Sequence, residues 1–387
     1  MTSPRPSASN RGPGRRYDRL SCADLTMLLT DRGQVPMNTG AVLLLDGDDG
    51  PTLPELRAVL AARVATVTRL RQRVYRPPPA CGLRIWMDDT EFRLEEHVDC
   101  RELPGSIGSS GLLDLAAEMV CERLTPGRPP WRACIVTDPA TGRVRALILV
   151  VRHVIADGLG GLAMLSALAD PGLPTPFGGF PRPRPSYRAL ALDAAGQRVR
   201  GVGGLPARLR GALAGVRELG AGSGLPHRAG ATSLMRPTSG RRRLSTVEIP
   251  LAEVTSAAHA ADGTVNDVVL AAVGGALRRL LAQRGERPRS LVVSVPVSGR
   301  AAADPDHLGN RTGVRPVRIP LIADDRARLQ TVAGITRAAA ARRGPRRLDR
   351  SASPSGSSPG SACSPGSSTT NAWWTPSRPT CADLWSV

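Results

Sequence analysis

The feature that most constrains this chain is the run Ala146-Leu147-Ile148-Leu149-Val150-Val151, together with the seven residues just after it. Six consecutive apolar residues with no polar alternation read as a buried strand. The run passes directly into Arg152-His153-Val154-Ile155-Ala156-Asp157-Gly158, where the glycine stops the strand and lets a small-residue helix begin. One imidazole, His153, is thereby delivered to the end of a rigid element that can aim it into a cleft.

The flanking sequence supplies alternating helix and strand signals. Ser21 is placed to N-cap a short helix through Leu29, Thr39 to Leu45 reads as a strand closed by the Asp46–Gly50 turn, and Leu53 to Val74 as one long amphipathic helix. Leu83 to Met87 and Val98 suggest short strands, and Leu112 to Leu124 a second amphipathic helix stopped by Pro126-Gly127. Trp131 to Val136 and Val144 to Val151 form a hairpin around Asp138–Gly142, with His153 at the end of its second arm and a helix over Leu159 to Leu168 beyond. Pro and Gly clusters with many Arg come next, carrying one basic helical stretch, Tyr187 to Leu213. That stretch reads as a solvated linker helix, with a membrane-surface element as the alternative. Leu244 to Ile249 then reads as a strand, Thr264 to Asp267 cap a helix through Leu281, Leu291 to Val297 is a buried strand, Val314 to Leu321 another, and Leu329 to Arg343 a last helix.

The chain accordingly divides into a polar, disordered segment (1–16), a first domain (17–180), a linker (181–243), a second domain (244–343) and a tail (344–387). The tail is almost all Ser, Pro, Gly, Ala and Thr over Ser351 to Thr370 and cannot pack a core.

A net charge of +19 points to an anionic partner, whether a membrane surface, a nucleic acid or a phosphate-bearing cofactor. All 52 basic residues are Arg, however, and 41 Gly and 35 Pro accompany them, the mark of a GC-rich gene, so part of the charge reflects codon usage. No nucleic-acid-binding motif or aromatic stacking platform goes with it, and no nucleic-acid partner is expected. The seven cysteines are scattered without a CxxC pair, so neither a metal site nor a disulfide framework is expected. The N-terminus has no apolar h-region and no run is long enough to span a bilayer, which leads to the expectation of a cytoplasmic protein, peripheral to the inner membrane at most.

Arg152 to Gly158 resembles the HHxxxDG motif of CoA-dependent acyltransferases. Pro130-Trp131-Arg132, Asn266-Asp267-Val268-Val269-Leu270-Ala271 and Gly309-Asn310-Arg311 narrow the resemblance to the bacterial wax ester synthase/diacylglycerol acyltransferase family, over about Leu20 to Arg343. The resemblance implies an α/β fold of two chloramphenicol-acetyltransferase-like sandwich domains with the active site in the cleft between them. It also implies transfer of a fatty acyl group from acyl-CoA, a co-substrate with no bound cofactor beside it, to diacylglycerol or a long-chain alcohol. The partners would be those two substrates and a membrane or lipid-droplet surface.

A neutral imidazole, with an ordinary pKa of ~6.5, suits the proton transfers such a reaction needs. His153 would take the acceptor hydroxyl proton, the oxygen would attack the thioester carbonyl, and the imidazolium would protonate the departing thiolate. The competing reading of His153 is a satisfied side chain in a strand-to-helix turn. Asp157 is expected to pair with an Arg and hold the loop, and Gly158 to permit the backbone turn. Asn266 and Asp267 fit two roles equally, contact with the site from the second domain or an N-cap. Asn310 and Arg311 belong to the same second-domain wall, where Arg311 either binds CoA phosphates or pairs locally.

Two positions depart from the family. Its leading histidine is Arg152 here, and a neighbouring guanidinium is expected to depress the His153 pKa and crowd the tunnel, giving a reduced but not abolished rate. Past Gly344 the tail does not resemble the family. Trp373-Trp374-Thr375 read two nucleotides out of frame forces a Val-Asp step, so the tail reads as an out-of-frame translation and the second domain as incomplete. The alternative function is then an inactive or non-catalytic acyltransferase-like remnant that binds a lipid or membrane surface. A condensation-type enzyme with the same motif is a third.

Overall fold

The computed structural model describes residues 17–45, 50–103, 110–169, 180–203, 232–298, 310 and 312–341. They fall into two compact units, one formed by residues up to 247 together with 294–315, the other by 248–293 and the residues from 316 onward.

In the first unit, α1 (Cys22–Thr30), β1 (Asn38–Leu44) and α2 (Leu53–Thr66) precede a short ribbon of β2 (Gln72–Tyr75) and β3 (Ile85–Asp88). Then come β4 (Val98–Glu102), α3 (Ser110–Cys121), β5 (Trp131–Thr137), β6 (Val144–Arg152), α4 (Gly158–Ala169) and α5 (Tyr187–Gly203). The main sheet has the order β1-β6-β5-β4, with β4 parallel to β5 and the other pairs antiparallel. The expected hairpin is thus its centre.

The unbroken apolar run in β6 has a simple cause: both faces of the sheet are covered. Leu147, Leu149 and Val151 pack with Leu56, Leu60 and Val64 of α2 and Met164 and Leu168 of α4. The alternate residues Ala146, Ile148 and Val150 pack with Leu112, Ala116 and Met119 of α3. Each fully buried large aliphatic side chain contributes about 1.5–3 kcal/mol of transfer free energy. On the α3 side the approach is close enough that a Cβ on Gly40 would lie 2.8 Å from Val120 Cγ2.

Four expectations change. The predicted helix over Leu53 to Val74 ends at Thr66; a 3₁₀ turn (Thr68–Arg71) succeeds it, and Gln72–Tyr75 is a strand because Ile85–Asp88 offers it an antiparallel ladder. The β-branched Thr66-Val67-Thr68 sequence marks the break. Secondly, α5 is packed rather than solvated. Leu190 and Ala194 are buried, and Arg19, itself buried, pairs with Asp193 at 2.8 Å while donating to the carbonyls of Cys81, Leu83 and Leu190. Thirdly, Leu244 to Ile249 is not a strand. It is exposed and meets no ladder partner among the described residues.

In the second unit, α6 (Leu251–Ala260) is a helix with no counterpart in the expectations, begun at Pro250. Next come α7 (Val265–Gln283) and α8 (Asp325–Ala341); of the strands between them, β7 (Ser290–Ser298) and β8 (Thr312–Pro320), residues 290–293 and 316–320 belong to this unit. The cap of α7 is the expected one: Thr264 and Asp267 form a reciprocal capping box. Buried Arg328 of α8 lies over Gly275 of α7, donating to the carbonyls of Ala271 and Ile322 at 2.7 Å each and pairing with Asp325. The fourth change is at β7. It pairs with β8 alone among the described strands, and Leu291 to Val293 are only partly covered rather than buried. The Asp46–Asp49 part of the first turn and the tail from 342 lie outside the described residues.

Candidate active site

β6 ends where its neighbours end. The Arg152 N–H donates to Pro130 O at 2.9 Å and the His153 N–H to Met37 O at 2.8 Å, after which Ile155 N–H closes a turn on Arg152 O at 2.9 Å. Val154, Ile155 and Ala156 are buried and anchor that turn. Asp157 is also buried; its Oδ1 accepts from Gly160 N–H at 2.9 Å and its carbonyl from Gly161 N–H at 2.7 Å, so it caps α4. Gly158 is not demanded by crowding, since an added Cβ would meet nothing within 4 Å, and its φ is not left-handed. The turn is made by the Asp157 cap.

The two motif side chains have different partners. Arg152 directs Nε (2.8 Å) and Nη2 (2.5 Å) at Asp31 Oδ2, whose other oxygen accepts from Met37 N–H at 3.0 Å. Asp31 is 1 % exposed and Arg152 35 %, so the guanidinium is spent on a buried carboxylate. His153 is half-buried, and its Nδ1 lies 3.1 Å from Asn310 Oδ1. Asn310 is buried; its Nδ2 donates to His153 O at 2.8 Å and to Asp24 Oδ1 at 2.9 Å, and its backbone N–H reaches the same Asp24 oxygen at 3.2 Å.

His153 also lines a depression of about 330 Å³. Its walls include Val35, Met37, Ala117, Val120 and Leu244, and Arg242 and Arg243 contribute to it. An apolar hollow with one imidazole and two guanidiniums suits a ligand that is greasy over part of its length and anionic elsewhere.

The other described histidine of this unit, just before β4, is structural. His97 is buried, stacks on Trp131 with ring centroids 4.7 Å apart, and places Nδ1 2.8 Å from Trp131 O. Burial pushes its pKa below the ordinary imidazole value, the Trp131 carbonyl only partly opposing this. Cys134 on β5 is no nucleophile either: burial above all, with Asp99 and Cys100 adding, raises its thiol to about 11.

Of the residues singled out from sequence, the structure brings His153 and Asn310 together. Asp267 serves as the cap of α7, its Oδ2 accepting from Thr264 N and Oγ1 at 2.8 Å each, and Asn266 beside it is exposed. Arg311 lies outside the described residues. Asp24 and Asp31 are the two residues that sequence reasoning misses. For Asp24 a signal exists, because Ser21-x-x-Asp24 is a complete capping box rather than a serine cap alone. For Asp31 there is none. Among the described residues no cluster of His, Cys, Asp and Glu could hold a metal ion, and no helix is long and apolar enough to cross a membrane.

Comparison with known proteins identifies the family and the fold. The family model described as the wax ester synthase/diacylglycerol acyltransferase catalytic domain matches residues 20–269. A probable diacylglycerol O-acyltransferase of Mycobacterium tuberculosis is 31% identical over 295 residues, covering 74% of this chain and 63% of its own length. A second, a putative diacylglycerol O-acyltransferase of Mycobacterium bovis, is 32% identical over 313 residues, covering 76% and 61%. The chain therefore spans somewhat under two thirds of the length of these relatives. Among solved structures, the wax ester synthase/diacylglycerol acyltransferase of Marinobacter aquaeolei superposes with a TM-score of 0.56 at 21% identity, over 84% of this chain and 72% of that one. The first condensation domain of the CDA synthetase gives 0.54 at 21% identity, over 84% and 75%. Both likenesses speak to the α/β fold.

Proposed function

Because this chain belongs to the wax ester synthase/diacylglycerol acyltransferase family, we propose that it moves a fatty acyl group from acyl-CoA to diacylglycerol or a long-chain alcohol, with His153 as general base. The observation that carries this reading is His153 itself, fixed at the end of the central strand and lining an apolar hollow. The names of the mycobacterial relatives, diacylglycerol O-acyltransferases, favour the acceptor class.

His153 removes the proton of the acceptor hydroxyl as its oxygen forms the new C–O bond to the thioester carbonyl. The C–S bond then breaks, and the departing CoA thiolate takes the proton back from the imidazolium. The apolar walls of the hollow suit the acyl chain. Arg242 and Arg243 offer charge to the CoA phosphates. A lipid acceptor brings the protein to a membrane or lipid-droplet surface as a peripheral partner.

The test is an assay of the full chain with palmitoyl-CoA and either diacylglycerol or hexadecanol, measuring free thiol and ester product, beside His153→Ala. Ester formation lost in the variant supports the reading. Equal activity in both proteins removes His153 from the mechanism, and binding to anionic vesicles without turnover rejects the transferase reading.

A further inference from the structure

We propose that Asp24 is a positioning residue for this reaction: acting through Asn310, it fixes His153 as the Nδ1–H tautomer and so makes Nε2 the basic nitrogen. The inference rests on the reading of His153 as general base.

The amide of Asn310 is the starting point. Its Nδ2 has two hydrogens and sits 2.9 Å from Asp24 Oδ1 and 2.8 Å from the His153 carbonyl, both of which only accept. Turning the amide over would set its oxygen against a carboxylate and a carbonyl, leaving buried acceptors facing one another without a hydrogen. The amide orientation is therefore dictated by its surroundings. With Nδ2 committed, Oδ1 is the atom facing His153 Nδ1, at 3.1 Å. An amide oxygen cannot donate, so the imidazole nitrogen must carry the hydrogen. In the neutral ring the lone pair then belongs to Nε2.

Asp24 sets this order because neither of its oxygens is free to change place. Oδ1 takes the Asn310 backbone N–H at 3.2 Å as well as the side chain, while Oδ2 takes the Ser21 N–H at 3.0 Å in the cap of α1. Both Asp24 and Asn310 are buried, which keeps water from offering the amide other partners. A capping box at the start of the fold thus decides which nitrogen of a distant histidine is basic. The partner at Nδ1 is neutral and the negative charge lies one residue further out. When Nε2 gains a proton, the Nδ1–H keeps an acceptor already oriented toward it.

Ring ¹⁵N chemical shifts of His153 in the labelled full chain, assigned by the His153→Gln variant, read the tautomer directly and without turnover. The expected result is the Nδ1–H pattern in the wild type and a mixture of tautomers in Asp24→Ala and Asn310→Leu. Both variants should lower kcat roughly 10- to 100-fold, the scale on which partners of an oriented histidine act, with KM little changed. Ser21→Ala is the matched control: it weakens the same helix cap but leaves Asp24 Oδ1 untouched, so Tm should drop while tautomer and kcat stay. An Nε2–H wild-type ring overturns the proposal, as does a kcat loss in Ser21→Ala equal to that in Asp24→Ala. A chain that shows the Nδ1–H ring yet no acyl transfer would reject the transferase reading while leaving the tautomer assignment standing.

Discussion

Arg152 and His153 are neighbours at one strand end and are held in opposite ways. The arginine gives two N–H groups to the carboxylate of Asp31, whereas the histidine meets the neutral amide of Asn310. Both attachments lead back to α1, whose C-cap residue is Asp31 and whose first turn holds Asp24. One short helix thus splints both residues. The difference lies in charge. The ion pair with Asp31 consumes the Arg152 guanidinium as an anchor for the strand exit, whereas the ring next to it has an uncharged partner, an arrangement that would suit the proposed base. On the proposed reading, the arginine at the first motif position is an anchor, held by Asp31, and the chemistry is assigned to the second position.

The sharpest way to break that division is His153→Ala. Loss of a general base is expected to cut turnover about 10²- to 10⁴-fold, about 3–5 kcal/mol of barrier. Tm should scarcely move, because the ring is only half-buried. Thiol release from acyl-CoA and a melting curve check the two halves together.

Arg152 should show the reverse pattern. Arg152→Leu leaves Asp31, 1 % exposed, with the Met37 N–H as its remaining hydrogen-bond donor among the described residues. Removing one partner of a buried pair is costly, but Arg152 is about one-third exposed and solvent screens part of the interaction, so a loss of about 1–3 kcal/mol is expected in urea unfolding. Arg152→His sharpens the comparison further. It loses the two-pronged contact and should lower Tm, while its rate tells whether the guanidinium burdens the neighbouring ring. A higher rate means that it does; an unchanged rate leaves position 152 as anchor only.

Gly40→Ala strains the sheet behind both residues. The new Cβ would stand 2.8 Å from Val120 Cγ2, on a stiff side chain with no long arm to swing aside. Overpacking of this kind costs about 1–3 kcal/mol. Since Gly40 pairs with Val150, and His153 N–H bonds to Met37 just before β1, a fall in kcat beyond that seen in Arg152→Leu would show that sheet register, more than either partner, sets the site.

How much of this is legible in the sequence depends on whether the information is local. The β5–β6 hairpin, the strand end carrying His153 and the capped start of α7 all declare themselves in contiguous sequence. Leu53 to Val74 misleads because an apolar rhythm continues through Thr66-Val67-Thr68, while the ladder that turns Gln72–Tyr75 into a strand is supplied by Ile85–Asp88. Leu244 to Ile249 has strand composition but no neighbour to pair with among the described residues, and composition alone cannot supply one. The same holds in the site. Asp31 carries no local sign of its bond to Arg152, and the Asn310–His153 contact joins residues 157 apart in sequence. Side chains that make a site by meeting across the fold leave no periodic trace.

The smallest expected effect concerns His97, whose stacking on Trp131 lies in the same sheet, since Trp131 pairs with Val151. Burial holds its pKa below the ordinary value, so the folded protein binds fewer protons than the unfolded chain over the interval between the two. With the unfolded pKa at ~6.5, the stability that neutral His97 contributes is present above that pH and is lost as pH falls from there toward the folded pKa. Melting temperatures should therefore drop more between about pH 7.5 and about pH 5.5 in the wild type than in His97→Gln, which cannot titrate there. Parallel curves would mean that His97 keeps its ordinary affinity for protons when folded.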